Sequence, residues 1–288
     1  MIIDGKKFAQ KLRNKIKKEI QSIKNKTQLT PGLTVILVGN HTPSEIYVRN
    51  KELSAKEVGI SSKVLRFKSS ISETKLISVI HKLNRDKKVH GILVQLPLPN
   101  HISGHKIIEE IDPKKDVDGF HAINVGNLSS GKDALVPCTP LGCYLMIKSV
   151  RKNLAGLNAL IIGRSNLNGK PMAQLLLKED CTVTIGHSKT KNLKELCKKA
   201  DIVVAAVGRA NLVKGDWVKK GAIVIDVGIN RVEKKNGYKI VGDVEFKSVV
   251  KKAKAITPVP GGVGPVTIAC LLNNTLKAFK KINHLSSK

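Results

Sequence analysis

Four short runs at residues 159–162, 182–185, 202–207 and 222–227 are more continuously apolar than a strand with one wet face would be, and they are separated by stretches with helical spacing. Strands of this kind are buried on both faces, and helices crossing between them supply the cover, so the second half of the chain reads as a Rossmann-like parallel sheet. One antiparallel excursion is expected inside it, because Asn236-Gly237 is a hairpin turn signal within residues 231–241.

The first half alternates helix and strand as well. Phe8, Leu12, Ile16, Ile20 and Ile23 recur every three or four residues, which makes an amphipathic opening helix, and strands are expected at residues 33–38, 64–67 and 91–96. Thr42, Pro43 and Glu45 read as a cap, a first helical residue and the partner of a capping box, opening a helix that ends near Gly59. A second box, with Ser70 as cap and Glu73 as partner, opens the next helix. Thr139-Pro140 looks like a cap starting the second tract, and Ile268, Leu271, Leu272, Leu276 and Phe279 give a final helix from about Pro265 an apolar face that should pack back on the first tract. The fold class is therefore α/β.

Hydrophobic residues at 41% of 288 are enough to bury a core, while the longest apolar runs fall far short of a membrane span and the start MIIDGKKF lacks the apolar region of a signal peptide. A cytoplasmic protein with no membrane partner is expected. The net charge of +29 would suit a nucleic-acid partner, but lysine pairs are spread along the whole chain and aromatics are only 3%, too few for stacking platforms. No nucleic-acid partner is expected. Cys138, Cys143, Cys181, Cys197 and Cys270 are irregularly spaced without a histidine cluster, which excludes a familiar zinc pattern and reads as buried, reduced thiols, with no metal expected.

Several segments have the residue types of a site. The run ending at Gly163 and the helix beginning near Lys170-Pro171 have the geometry of a phosphate site, although the spacing is not that of the usual glycine fingerprint and a plain strand-to-helix turn fits it as well. After the next strand comes Gly186-His187-Ser188-Lys189-Thr190, with no carboxylate to hold a ribose hydroxyl, and Arg164 stands in the preceding turn, so NADP fits better than NAD. The alternative is that His187 and Ser188 cap the following helix. Tyr47 and Lys51 share a helix face; a lysine works as a base only where desolvation lowers its pKa, and otherwise it is surface. Gln95, at the end of an apolar strand, could tune such a lysine or satisfy nearby backbone, and Asp118 could form a turn or accept the N–H groups of a heterocycle.

VGNHTPSEIYVRNK from Val38, GILVQLPLP from Gly91, KDVDGFHAINVG from Lys115, PCTPLG from Pro137, GRSNLNGKPM from Gly163, HSKT from His187, DVGIN from Asp226 and TPVPGGVGPVT from Thr257 together resemble the bifunctional methylenetetrahydrofolate dehydrogenase/methenyltetrahydrofolate cyclohydrolase family over essentially the whole chain. The resemblance implies two α/β domains flanking a cleft: a folate-binding catalytic domain of residues 1–138, completed by the C-terminal helix at 265–288, and an NADP-binding domain of residues 139–264. It implies a homodimer, tetrahydrofolate derivatives as substrates, and a place in one-carbon metabolism. Carried over by position, Lys51 is the acid/base group, Tyr47 packs against the pterin, Gln95 tunes the lysine and Asp118 holds the ring. Val48, Val94, Leu96, Pro260, Gly261, Gly262, Val263 and Gly264 are implied as further substrate contacts, and Gly163, Arg164, Ser165, Ser188 and Ile229 as cofactor contacts. The chain departs from the family's usual residues at Thr42-Pro43, Asn168, Val266 and Asn273.

Overall fold

A computed structural model of the chain describes residues 1–234 and 237–285. The chain separates into two compact units, a first comprising residues 11–138 together with 268 onward, and a second comprising residues 1–10 and 139–267.

In chain order α1 (Gly5–Thr27), β1 (Gly32–Val38), α2 (Thr42–Val58), β2 (Ser61–Phe67), α3 (Glu73–Arg85), β3 (Gly91–Val94), α4 (Gly104–Glu109) and α5 (Ala122–Ser129) build the first unit, α1 starting in the second. Its sheet is parallel in the order β2-β1-β3, with Val35 opposite both Val64 and Leu93. β1 is buried along its length because it is central. Ile36, Leu76, Ile80, Ile92, Ile107 and Ile111 form the core between this sheet, α3 and α4. Full burial of one such aliphatic side chain contributes about 1.5–3 kcal/mol.

Two helix starts differ from the sequence reading by one or two residues. α2 begins at Thr42 itself, with His41 in the capping position and Pro43 in the first turn; the His41 ring bonds Ser44 Oγ at 2.9 Å instead of a backbone N–H. α3 is capped by Ser72, whose hydroxyl accepts from Lys75 N at 3.2 Å, while Glu73 turns away to accept from Ser103 N and Lys106 Nζ, both at 2.8 Å. At α2 the competing contact is local, between His41 and Ser44, whereas at α3 groups thirty or more residues away draw Glu73 out of the short motif. The helix of α2 does end at Gly59.

The second unit continues with α6 (Cys138–Val150), β4 (Asn158–Ile162), α7 (Gly169–Leu177), β5 (Thr182–Gly186), α8 (Leu193–Lys199), β6 (Ile202–Ala205), a 3₁₀ turn (Gly215–Trp217), β7 (Ile223–Asp226), β8 (Asn230–Lys234), β9 (Gly237–Val241), α9 (Phe246–Val249), β10 (Ala255–Ile256) and α10 (Val263–Ile282), the last running on into the first unit. β4 to β7 and β10 make a parallel sheet in the order β10-β7-β6-β4-β5. The chain steps outward from β4 to β5, then returns to the other side of β4 for β6, so the strand order reverses between β4 and β6. The crevice outside the carboxyl ends of strands at such a reversal is where doubly wound sheets take their ligands.

β4, β6 and β7 are buried as their composition demands, whereas β5 is the edge strand and carries Thr182, Thr184 and Ile185 to solvent. β8 and β9 form the antiparallel excursion, with Asn230 opposite Val241; Asn236 of the turn lies outside the described residues. The first ten residues sit with the second unit, and not at the start of the first, because Ile3 N donates to Ile256 O at 2.8 Å and Ile256 N to Met1 O at 3.0 Å, extending the β10 edge. α10 passes into the first unit at Ile268, where Asn274 and Phe279 are buried and the Phe279 ring meets His90 edge-on at 4.8 Å. Among the described residues all five cysteines are reduced and buried, no helix is long and apolar enough to cross a membrane, and no cluster of three or more His, Cys, Asp or Glu is placed to hold a metal.

Candidate active site

α2 buries Ser44, Val48, Ala55 and Val58; Lys51, three residues after Val48 and four before Ala55, lies half-buried along the same stripe, and Tyr47, one turn earlier, at its margin. Tyr47 is 42% exposed, and Lys51 is half-buried and donates from Nζ to Gln95 Oε1 at 3.0 Å. Gln95 lies just beyond the end of β3, not within it, and its backbone N donates to Ile36 O at 2.9 Å. Its side-chain NH₂ donates to Leu96 O at 2.7 Å. The amide is thereby oriented by its own backbone: its donor side is used, and only the oxygen faces the lysine, which fixes Nζ without adding a charge beside it. Gln95 thus bonds both its own backbone and the lysine, the two partners that the sequence reading set against each other.

Asp118 belongs to the same neighbourhood. Burial pushes its carboxyl up to about 6, against the pull of the nearby Lys51 ammonium, while Asp116 adds a smaller upward push and the Cys138 thiol, at 3.8 Å from Oδ1, a smaller downward one. The turn carrying Asp118 is folded around Asp116, which is buried and accepts from Gly119 N at 3.1 Å, His121 N at 2.9 Å and Asn124 Nδ2 at 3.0 Å. From α10, Asn274 Nδ2 donates to Val117 O at 2.9 Å and Val136 O at 2.8 Å and lies 3.7 Å from Cys138 Sγ, pinning the residues on either side of the site. Val48 and Val94 are buried in the core of the first unit, and Leu96 is partly exposed.

In the second unit β4 ends at Gly163, whose φ of +127° and closeness to the Ala206 carbonyl exclude a side chain. Arg164 is exposed in the turn that follows, and Ser165 Oγ accepts from Asn168 N at 3.1 Å, shaping the approach to the N-terminus of α7. After β5, His187 N donates to Thr190 Oγ1 at 2.9 Å and Lys189 N to His187 Nδ1 at 3.2 Å, closing a tight turn with Ser188 exposed at its tip. α8 starts only after Asn192, so neither His187 nor Ser188 caps it. A side-chain-free approach, a helix N-terminus, an arginine and a hydroxyl at neighbouring strand ends, and no carboxylate in the 186–190 turn are the donor set a 2′-phosphorylated dinucleotide requires. Ile229 is 57% exposed just after β7. Pro260, Gly261, Gly262, Val263 and Gly264 lie between β10 and the first turn of α10, with Val263 buried and Gly264 facing open space.

Thus Lys51, Gln95 and Asp118 gather in the first unit, and the implied cofactor contacts and the glycine-rich loop belong to the second. Sequence reasoning missed Cys138, Asn274, Asp226 and Asp243. A polar side chain interrupting an apolar pattern was the available signal: Asn274 falls among the apolar residues of the last helix, and Asp226 inside the run 222–227.

Residues 3–118 match the family model described as tetrahydrofolate dehydrogenase/cyclohydrolase, catalytic domain, and residues 137–283 match that of the NAD(P)-binding domain of the same family. The chain is 62% identical over 281 residues to the bifunctional protein FolD of Pelagibacter ubique, covering 98% of this chain and 99% of that protein. Among solved structures it superposes on the bifunctional FolD methylenetetrahydrofolate dehydrogenase/cyclohydrolase of Campylobacter jejuni with a TM-score of 0.94 at 48% identity, covering 98% of this chain and 99% of that one. The Trypanosoma brucei methylenetetrahydrofolate dehydrogenase-cyclohydrolase, solved with NADP and an inhibitor, gives a TM-score of 0.93 at 37% identity over 98% of this chain and 97% of that one.

Proposed function

The chain belongs to the tetrahydrofolate dehydrogenase/cyclohydrolase family, and on that premise we propose that Lys51 is the group that moves protons in its folate chemistry, with Gln95 and Asp118 setting its position and charge. The enzyme is bifunctional: it oxidises 5,10-methylenetetrahydrofolate to the 5,10-methenyl cation with NADP and hydrolyses that cation to 10-formyltetrahydrofolate. The observation that carries the assignment is the 3.0 Å bond from Lys51 Nζ to an amide oxygen whose other end is tied to the backbone.

Bound NADP supplies a hydride acceptor for the one-carbon bridge. On the protein side, Arg164 and Ser188 would hold the 2′-phosphate, Gly163 and Ser165 the approach to the diphosphate, and Ile229 a face of the dinucleotide. In the hydrolytic step water adds to the methenyl carbon and its proton passes to Lys51 Nζ in its neutral amine form; the bond from carbon to N5 then breaks as N5 takes that proton back and the new hydroxyl loses its own to become the formyl oxygen, so that one proton is released overall. Asp118 accepts the N–H groups of the pterin, Tyr47 packs on its ring, and Val48, Val94, Leu96 and residues 260–264 complete the substrate contacts. A homodimer in the cytoplasm, without a nucleic-acid partner and feeding one-carbon units to biosynthesis, is part of the same reading and rests on the family likeness.

Incubation with methylenetetrahydrofolate and NADP should produce NADPH absorbance, and methenyltetrahydrofolate supplied alone should be hydrolysed faster than in buffer. A chain that performs the first reaction and leaves the second at the buffer rate contradicts the role given to Lys51.

A further inference from the structure

Asp243 takes no part in either reaction, yet it is 0% exposed and fully bonded. Its Oδ2 accepts from Val207 N at 2.7 Å and Gly208 N at 3.0 Å, and its Oδ1 from Arg209 N at 2.8 Å and Asn230 Nδ2 at 2.9 Å. Three consecutive backbone N–H groups and one side-chain amide therefore converge on one carboxylate. The three backbone donors are the turn directly after β6, and Asn230 opens β8 at the end of the turn after β7.

A second buried carboxylate braces the first. Asp226, at the end of β7, accepts from Asp243 N at 2.9 Å, Val244 N at 2.9 Å and Gly228 N at 3.0 Å. The two turns are packed so closely on these carboxylates that a Cβ at Gly228 would overlap Asp243, and one at Gly242 would overlap Asp226. Ile229 lies between an N–H held by Asp226 and an amide held by Asp243, and that is why an apolar side chain stands 57% exposed in a fixed place. The turn after β6 is one wall of the crevice where the strand order reverses, and Gly163, on the other wall, abuts the Ala206 carbonyl that precedes it.

We propose that Asp243 is the positioning residue of the cofactor half: it fixes the turns after β6 and β7 in the shape that receives the dinucleotide, and it acts on NADP only through them. The inference rests on the reading that the second unit binds NADP. A buried carboxylate is suited to this task because it offers acceptors alone, four lone-pair directions for four donors. An amide in its place has to turn its NH₂ toward two of them. The Asn230 amide can rotate to answer it; a backbone N–H, such as that of Arg209, cannot and loses its acceptor.

The test uses the full chain with Asp243→Asn and, as a milder second variant, Asn230→Ala, which removes one donor and leaves the backbone nest. Calorimetric NADP affinity is measured without folate, alongside hydrogen exchange of the Val207, Gly208 and Arg209 amides and the rate of methenyltetrahydrofolate hydrolysis. Asp243→Asn is expected to weaken NADP at least tenfold, to speed exchange at those amides, and to leave hydrolysis within about twofold; Asn230→Ala should weaken NADP by a few-fold and decides the matter where Asp243→Asn does not fold. Unchanged NADP affinity in the folded variants, with the wild type binding NADP, overturns the inference alone, as does an equal fall of cofactor binding and hydrolysis, which marks a merely structural residue. A wild type that binds no NADP overturns the underlying reading and this inference with it.

Discussion

Replacing Asp118 by asparagine should make the protein more stable at alkaline pH while impairing it as an enzyme. Burial raises the folded-state pKa of Asp118 from 3.8 to about 6, with Lys51 and Cys138 opposing and Asp116 reinforcing the shift. A carboxyl whose folded pKa lies above its unfolded one binds its proton more tightly when folded, so its contribution to stability is fully present below about 4 and is lost as pH rises through about 6. At pH 8 the ionised carboxylate costs the folded state about 3 kcal/mol relative to a neutral group of the same shape, since each pKa unit is about 1.4 kcal/mol. The asparagine variant should therefore unfold at higher denaturant than wild type at pH 8, by about 3 kcal/mol, and the gap should narrow to about half a kcal/mol by pH 4. Urea titrations of both proteins at pH 8, 6 and 4 read this directly. A variant that is less stable than wild type at pH 8, or a difference that does not change with pH, refutes the placement of a desolvated, ionisable Asp118 beside Lys51.

Two further outcomes follow from the same geometry. Arg164→Ala should raise the KM for NADP by about tenfold, the loss of a charge-assisted contact worth roughly 1.5 kcal/mol, while the KM for NAD barely changes; equal losses for both would take the 2′-phosphate away from Arg164. Asn274→Ala strands the buried Val117 and Val136 carbonyls without their donor, so it should cost about 2–4 kcal/mol in denaturant unfolding and slow hydrolysis by displacing Asp118 and Cys138; a loss below about half a kcal/mol would show that the clamp carries nothing.

The sequence made the second unit's sheet legible because β4, β6 and β7 are buried on both faces and so lack alternation, a signal that does not depend on distant residues. Helix starts were less legible. His41 and Ser72 hold the positions assigned to Thr42 and Ser70, since Ser44 engages the His41 ring and Glu73 is drawn to Ser103 and Lys106, thirty or more residues away. Lys51 and Gln95 could be nominated from a family pattern, but that the amide oxygen and not its NH₂ faces the lysine depends on the backbone at Leu96. The carboxylates at 226 and 243 and the amide at 274 escaped notice because each is defined by backbone groups brought near by the fold; the one-dimensional pattern marks Asp226 and Asn274 as polar interruptions of apolar runs but not the groups that converge on them.

The central claim is that Lys51 moves the protons of folate hydrolysis from a position fixed by Gln95. Lys51→Met keeps much of the stem and deletes the amine, and the decisive measurement is its rate of methenyltetrahydrofolate hydrolysis after subtraction of the buffer reaction, paired with its NADP affinity. Loss of a positioned acid/base group lowers a rate by about 10²–10⁴, so hydrolysis should nearly vanish, while NADP affinity stays close to wild type because its contacts lie in the second unit. Hydrolysis within a few-fold of the wild-type rate would contradict the account.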